Sequence, residues 1–328
     1  MSQAWRADAI DYLGKEPRLT RVTELRAGLF EIDLDFQGEP GVIAAYLLKH
    51  ANECALVEVG PTSTLDALLG GIQAAGVEPE AISKLLVTHI HLDHAGAAGS
   101  LVQRFPHLQV HVHEVGAPHL ADPSKLLASA QRIYGDRMDE LWGDVLAVPV
   151  ANLVALTDED SIRIGGSELT ALYTPGHASH HIAYLTEDRR EVFTGDVAAI
   201  RLQGYEYVRP ATPPPDIDLE LWTTSLDRLR ALQADTLHLT HFGSFSDVDR
   251  HLTVARDQLY AWAEFIERLQ AQGWQPEEMK LALRERADGE VLSVHPDQEA
   301  VRRYELAAPS GMSVDGYLRY FKKRHRTP

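Results

Sequence analysis

The sequence of 328 residues predicts an α/β protein with two β-sheets and a helical C-terminal region. Three observations support this class. Short β-rich runs separated by turn residues fill residues 20–59 and return after residue 160, as the strands of two sheets would. Between these stretches, apolar residues recur at helical spacing and alternate with buried strands. Beyond residue 247 only helical spacing is present.

The first predicted sheet begins with the runs LFEIDLDF, VIAAYLL and CALVEVG, which turn signals such as QGEPG separate. Consecutive short strands joined in this way are typical of antiparallel pairing. The segment TLDALLGGIQAAG then has helical spacing, and KLLVT has the pattern of a buried strand. A helix predicted from about Asp93 to Phe105 leads to the strand LQVHVHE. Residues 114–147 carry helix-like segments, which we interpret as an insertion that could act as a lid.

The second predicted sheet contains SIRIGG, ELTALYT, HIAYLT and EVFTGD, each bounded by Gly, Asp or Pro. A proline-rich loop, VRPATPPPDID, precedes the predicted helix LELWTTSLDRLRALQ and the strand DTLHLTH. The pattern therefore predicts a main domain over residues 1–246 and a helical region over residues 247–328. We expect the helical region to pack on the main domain, because no Gly/Ser-rich linker separates the two.

The composition of the chain limits the kinds of partner that the protein can bind and the cellular compartment in which we expect it. The formal net charge of −17 repels polyanions, so we expect no nucleic-acid partner, and the basic run KKRHR near the C-terminus is interpreted as a solvated terminus. The opening MSQAWRADAIDYLG lacks a secretory signal and no apolar run is long enough to span a membrane, so we expect a cytoplasmic protein. The single cysteine, Cys54, excludes an internal disulfide. We expect a small-molecule substrate and allow for a homodimer.

Residues 84–96 read KLLVTHIHLDHAG and crowd three histidines and an aspartate into six positions. Residues two apart on a strand point the same way, so His89 and His91 are predicted to face one point. Asp93 and His94 follow where the chain turns into a helix, and their side chains can reach a second point nearby. Imidazole and carboxylate groups suit Zn²⁺ and similar metals. The alternative is that Asp93 caps the helix and the histidines bond backbone groups.

Four ligands do not complete two metal sites, so more are expected at other strand ends. TPGHASHH places His177 after a strand and a Pro-Gly turn, FTGD places Asp196 at the end of the next strand, and LHLTHFG places His241 after another. Taken singly, each has a simpler interpretation as a turn aspartate or an ordinary surface or core histidine. As a set, they predict a metal site where buried strands end.

The ordered motifs THIHLDHAG, TPGHASHH, FTGD and LTHFG resemble those of the metallo-β-lactamase superfamily, in its glyoxalase-II-like hydrolase branch, over roughly residues 20–245. The resemblance implies an αββα sandwich with two divalent metal ions in a cleft at one edge. Zinc is the expected metal, and iron or manganese would accept the same ligands. The resemblance assigns His89, His91 and His177 to the first metal, Asp93, His94 and His241 to the second, and Asp196 to the bridge between them.

The resemblance also implies a reaction. Two cations about 3.5–4 Å apart can hold a bridging water and lower its pKa, so that a metal-bound hydroxide attacks an ester, thioester or lactone. Asp93 would orient this hydroxide and carry a proton to the leaving group, which makes it the predicted catalytic residue. The alternatives are a phosphodiesterase acting on a small substrate, a sulfur dioxygenase with one iron, and a metal-stabilised scaffold that binds a partner.

Several residues near the motifs are interpreted as supporting groups. His181 is expected to support the ligands, His180 to lie at the surface and His238 to lie in the core. Glu58 stands where relatives commonly carry an aspartate, and its extra methylene lengthens the reach of the carboxylate. The insertion, with Tyr134, Met138 and Trp142, and the loop from Tyr205 to Pro215 could wall an apolar acyl pocket, the alternative being simple core packing.

Overall fold

The computed structural model of the protein describes residues 21–51, 53–188 and 190–324. The N-terminal residues used in the argument about a secretory signal, and the end of the KKRHR run, lie outside the described residues. The fold is an αββα sandwich in which a seven-stranded and a six-stranded sheet lie between layers of helices. The predicted fold class is therefore confirmed.

The first sheet has the strand order β1 to β7. Strands β1 to β4 pair antiparallel, and β4 to β7 pair parallel. The turn signals predict the antiparallel pairing of β2, β3 and β4, whereas β1 lies outside the predicted runs. Its strands are β1 (Val22–Arg26), β2 (Leu29–Asp33), β3 (Ala44–Lys49), β4 (Cys54–Val57), β5 (Ile82–Leu86), β6 (Gln109–His113) and β7 (Leu153–Leu156).

The second sheet has the order β13-β12-β11-β10-β9-β8, with a parallel pairing only between β11 and β12 among its described strands. Strand β13 was not predicted, because three residues are too few to establish an alternating pattern. Its strands are β8 (Ser161–Ile164), β9 (Ser167–Tyr173), β10 (Ile182–Thr186), β11 (Glu191–Phe193), β12 (Thr236–Leu239) and β13 (Gly243–Phe245).

Helices cover the outer faces of both sheets. The helix predicted from about Asp93 to Phe105 is two short helices, α2 and α3, and the insertion between β6 and β7 contains α4, α5 and α6. Among the described residues, none of the helices is both long and apolar enough to cross a lipid bilayer. The helices are α1 (Leu65–Ala74), α2 (Leu92–Ala95), α3 (Ala98–Arg104), α4 (Ala117–Ala121), α5 (Ser124–Tyr134), α6 (Met138–Trp142), α7 (Leu219–Ala231), α8 (Val248–Ala271), α9 (Pro276–Val294), α10 (Gln298–Ala307) and α11 (Ser310–Arg324).

The core between the sheets includes residues of the C-terminal helices. Tyr46 of β3 and Tyr184 of β10 are fully buried in it, and Val291 and Tyr304 belong to the same apolar cluster. Full burial of an apolar side chain stabilises a fold by roughly 1.5–3 kcal/mol. The C-terminal helices therefore pack on the sandwich through a shared core, as the absence of a linker predicts.

Candidate metal centre

The seven predicted ligands lie where strands of both sheets end. The parallel strands β4, β5 and β6 bring their carboxyl ends to one edge of the first sheet, and the chain turns there into α2. The second sheet contributes the residues after β9, β11 and β12. The seven are His89, His91, Asp93 and His94 after β5, His177 after β9, Asp196 after β11 and His241 after β12.

Three histidines form the first group of converging ligand atoms. Nε2 of His89 lies 2.9 Å from Nδ1 of His91, which lies 3.0 Å from Nε2 of His177. Burial lowers the pKa of all three imidazoles. Neighbouring histidines lower the pKa of His89 and His91 further, and that of His91 falls to about 4. The three rings are therefore neutral at pH 7, which is the form that binds metals.

Asp93, His94 and His241 form the second group. Oδ2 of Asp93 lies 3.3 Å from Nε2 of His241 and 3.7 Å from Nε2 of His94. Burial alone would raise the pKa of Asp93, but His94 and His241 outweigh it and lower the pKa to about 2. Burial would likewise lower the pKa of His94, whereas Asp196, Glu58 and Asp93 raise it. In the second group, the buried carboxylates therefore favour protonation of His94, and the imidazoles favour ionisation of Asp93.

Asp196 lies between the two groups, with one carboxylate oxygen facing each. Its Oδ2 lies 3.5 Å from Nε2 of His177 in the first group. Its Oδ1 lies 3.3 Å from Nε2 of His94 and 3.8 Å from Nε2 of His241 in the second. A carboxylate placed in this way can serve both groups at once.

The residues present fit a metal centre. Nε2 of His94, Nε2 of His241 and Oδ1 of Asp196 are buried and have no hydrogen-bond partner among the described residues. Buried polar atoms nearly always have such partners, so three unpaired ligand atoms in one place need another explanation. Three sets of three side chains each bring ligand atoms within 4.8 Å of one another. Imidazole nitrogen and carboxylate oxygen together suit zinc, iron or manganese.

Backbone carbonyl groups fix the orientation of two of the histidines. Nδ1 of His177 donates to the carbonyl oxygen of Ala211 at 2.8 Å, and Nδ1 of His241 donates to that of Val42 at 2.8 Å. The proton on Nδ1 leaves Nε2 of each ring with a free lone pair directed at the cluster. Neither carbonyl could be found from the sequence, because any residue type can supply one.

Glu58 supports the second group despite its extra methylene. Its Oε1 accepts hydrogen bonds from Oγ1 of Thr88 at 2.5 Å and Oγ1 of Thr240 at 3.1 Å, and it lies 3.0 Å from Nδ1 of His94. The carboxylate thereby orients His94 and holds together the two loops that carry the ligands. Sequence reasoning did not assign the two threonines, although each directly precedes a ligand, in the pairs Thr88-His89 and Thr240-His241.

The neighbouring histidines differ in their roles. His181 accepts the backbone N–H of Asp196 at 3.2 Å on Nε2, and its Nδ1 lies 2.9 Å from Oγ1 of Thr174, so it supports the Asp196 loop as predicted. His238 is buried in β12, as predicted. The prediction that His180 lies at the surface is wrong. Its ring is buried and stacks on that of His89 at 6.1 Å, because the turn after β9 folds back over the cluster.

A cavity of about 490 Å³ opens beside the cluster. Tyr134 and Trp142 line it, which is one of the two alternatives that the sequence leaves open for them, whereas Met138 is buried without lining it. Of the loop from Tyr205 to Pro215, only the part from Ala211 onward lines the cavity, because Tyr205 packs on His295 and Tyr304. At the polar end of the cavity lie His91, Asp93, His180, Asp196 and His241.

The sequence is similar to those of known proteins, and these similarities identify the family to which the chain belongs. The model of the metallo-beta-lactamase superfamily matches residues 38–241. The chain is 30% identical to a hydroxyacylglutathione hydrolase from Rhodopseudomonas palustris over 219 residues, which cover 65% of this chain and 71% of that protein. It is 25% identical to an atrochrysone carboxyl ACP thioesterase from Aspergillus chevalieri over 243 residues, which cover 74% of this chain and 62% of that protein.

Other curated relatives match over 58 to 64% of their own length. A solved structure of a metallo-beta-lactamase family protein, TTHA1429 from Thermus thermophilus, covers 92% of this chain and 95% of its own with a TM-score of 0.67. At 22% identity this likeness supports the fold alone. Since the superfamily model matches more than half of the sequence, the chain belongs to the metallo-beta-lactamase superfamily.

Proposed function

We propose that this protein is a metal-dependent hydrolase that holds two divalent metal ions and opens an ester, thioester or lactone bond. The observation that carries this proposal is the position of Asp196, whose two carboxylate oxygens face two separate groups of ligand atoms. Zinc is the expected metal, and iron and manganese suit the same ligands. When bound, such ions would polarise the substrate carbonyl and lower the pKa of a water molecule.

The seven side chains divide into two ligand sets that share one member. We assign the first ion to the imidazoles that are neutral, and the second to the group that contains an ionised carboxylate. The first set is His89, His91 and His177, the second is Asp93, His94 and His241, and Asp196 belongs to both.

Asp93 is the proposed catalytic residue. Its side chain is 21% exposed and lines the cavity, whereas that of His94 is fully buried. An ionised carboxylate beside the reacting carbonyl can orient a water molecule by accepting its hydrogen bond. The same carboxylate can then carry a proton to the departing alcohol or thiol. Asp93 is therefore both a ligand and the group that handles the proton.

Two observations favour carbonyl substrates over phosphodiesters. The chain is similar to a hydroxyacylglutathione hydrolase and to a carboxyl ACP thioesterase. In addition, the net charge of −17 opposes the approach of nucleic acids, so a phosphodiester substrate would have to be a small molecule.

Hydrolysis assays on the metal-loaded protein test the proposal. The panel contains an aryl ester, an acyl-thioester, an acyl-homoserine lactone and a bis-aryl phosphodiester, each assayed before and after removal of metal with a chelator. We expect turnover of at least one carbonyl substrate that disappears with the metal. Failure of the loaded protein to turn over any of the carbonyl substrates, or turnover of the phosphodiester alone, would contradict the proposal.

A further inference from the structure

We infer that the cavity beside the metal centre binds an apolar, uncharged acyl group, so that the substrate is an ester or thioester of a hydrophobic acid. This inference rests on the proposed function, because it takes the reacting carbonyl to lie at the cluster. The cluster contributes His91, Asp93 and Asp196 to the lining of the cavity. The remainder of the cavity is left for the rest of the substrate.

The insertion supplies one wall of the cavity, in which apolar side chains outnumber the polar His119, Lys125, Ser129 and Arg137. The ring of Trp142 stacks on Phe36 at 5.6 Å and meets Tyr134 edge-on at 5.0 Å. Oγ of Ser63 donates to the carbonyl oxygen of Leu141 at 2.6 Å, which ties α6 to the body of the protein. The apolar residues of this wall are Leu126, Ala130, Ile133, Tyr134, Leu141 and Trp142.

A second wall comes from the proline loop and the C-terminal helices. Pro213, Pro214 and Pro215 have no backbone N–H, so this stretch offers a ligand no peptide donors. Leu306 and Met312 continue the wall with apolar side chains. An alkyl or aryl group loses no hydrogen bonds with water when it enters this part of the cavity, whereas amide and carboxylate groups would have to replace theirs on the few polar side chains there, such as Thr212 and Ser313.

Most of the charged side chains in the lining already have partners. Asp216 accepts a hydrogen bond from Oγ of Ser179 at 2.7 Å. Glu305 pairs with the buried Arg209 at 3.2 Å, and Arg137 pairs with Glu140 at 3.4 Å. Because these charged groups are paired within the protein, a ligand does not need a charge to compensate them.

Part of the cavity lining is exposed to solvent, and this part includes two large apolar side chains. Val115 and Ile133 line the cavity and are among the large apolar side chains that solvent reaches, at 43% and 38% exposure. Lys125, which also lines the cavity, is exposed there. Exposed apolar side chains in the lining of a largely apolar cavity favour a hydrophobic ligand.

The test is the dependence of kcat/KM on acyl length, measured on thioesters from acetyl to decanoyl. Burial of each additional methylene should raise kcat/KM about fourfold until the cavity is full. A glutathione thioester of a short hydroxy acid should be a poorer substrate than the octanoyl thioester. Equal rates along the series, or preference for the glutathione thioester, would overturn the inference while leaving the proposed hydrolase intact.

Substitution of Ala130 by Phe tests the position of the acyl group. The added ring fills the cavity, so Ala130→Phe should lower the ratio of kcat/KM for decanoyl over acetyl thioester about tenfold. Ala128→Phe is the matched control, because Ala128 is exposed on the same helix and does not line the cavity. The control should leave the ratio unchanged, and an equal effect of both substitutions would contradict the assignment.

Binding of 2-alkanones by calorimetry gives a readout that does not depend on turnover. These ketones carry a carbonyl and an alkyl chain but no bond to cleave. Affinity for the wild-type protein should rise with chain length, and Ala130→Phe should weaken binding of the long ketones. If no substrate is hydrolysed but the ketones bind in this way, the proposed function fails and the acyl site stands. If the ketones show no dependence on length, the acyl site is wrong even where hydrolysis is found.

Discussion

Asp196 can approach both ligand groups because a glycine precedes it. Gly195 has a φ of +52°, and a Cβ atom there would lie 2.4 Å from Oγ1 of Thr88 and 2.7 Å from Nε2 of His181. Any larger residue would push the loop away from the groups that hold it. The FTGD motif thus combines a ligand with the one residue type that permits its position.

The substitution Asp93→Asn tests the proposed role of Asp93 in proton transfer. An amide cannot take up a proton as a carboxylate does, so Asp93→Asn should lower kcat for a thioester at least about a hundredfold. The variant should retain at least one metal ion, because the His89, His91 and His177 set is intact. Kinetics and elemental analysis of the same sample check both statements. Asp136→Asn, at an exposed position, is the control, and full activity of Asp93→Asn would contradict the assignment.

Glu31 makes stability depend on pH. Burial, together with Asp33, raises the pKa of Glu31 from 4.5 to about 7. The folded state therefore holds this proton more tightly than the unfolded state, and the contribution of Glu31 to the free energy of unfolding is lost as pH rises from about 4.5 to about 7. At about 1.4 kcal/mol per pKa unit, the loss is up to about 3 kcal/mol.

Glu31→Gln should accordingly be more stable than the wild type at pH 8, and the difference should shrink as pH falls toward 5. Urea unfolding at both pH values measures it. Glu24→Gln, at an exposed position on β1, is the control for the exchange of a glutamate for glutamine. A constant difference between Glu31→Gln and the wild type at both pH values would show that the carboxyl is not neutral in the folded protein.

At the scale of elements, the sequence predicts the strands and helices whose apolar residues form a long or strongly periodic pattern. Strands such as β3 and β4 are buried runs and were predicted, as were the long helices. Strand β7 was not predicted, although its four residues, LVAL, are all apolar, because so short an apolar run cannot be told from a segment of buried helix by its periodicity. The seven candidate ligands follow predicted strands, but their distances, and the carbonyl partners of His177 and His241, depend on how the two sheets pack.

The turn that carries His177 depends on Gly176. Its φ is +135°, and a Cβ atom there would lie 2.2 Å from Cα of Trp222 in α7. Since that contact is with backbone, Gly176→Ala must displace the turn or the helix, and we expect a loss of at least about 2 kcal/mol in stability. Gly166→Ala is the control, because no atom lies within 4 Å of its Cβ position. Thermal unfolding compares the two, and equal stability would contradict this account of the turn.

For the whole molecule, the C-terminal helices complete both the core and the cavity. Val291 and Tyr304 are buried with residues of the two sheets, and Leu306 and Met312 line the cavity. The predicted boundary at residue 246 falls just before α8, which starts at Val248. It marks a change of secondary structure within a shared core.

A chain that ends at residue 246 should therefore fail to fold cooperatively. This truncation removes α8 to α11 and would expose the apolar side chains, such as Tyr46 and Trp222, that pack in common clusters with these helices. Thermal unfolding followed by circular dichroism measures this. A cooperative transition within about 5 °C of that of the full chain would show that the sandwich is stable alone.

The central claim is that seven side chains form a site for two metal ions. The most direct test is the number of metal ions per chain, measured by mass spectrometric elemental analysis on protein purified without added metal or chelator. The account predicts a value near two for zinc, iron and manganese together. A value near one, or the absence of metal even after incubation with these ions, would contradict it.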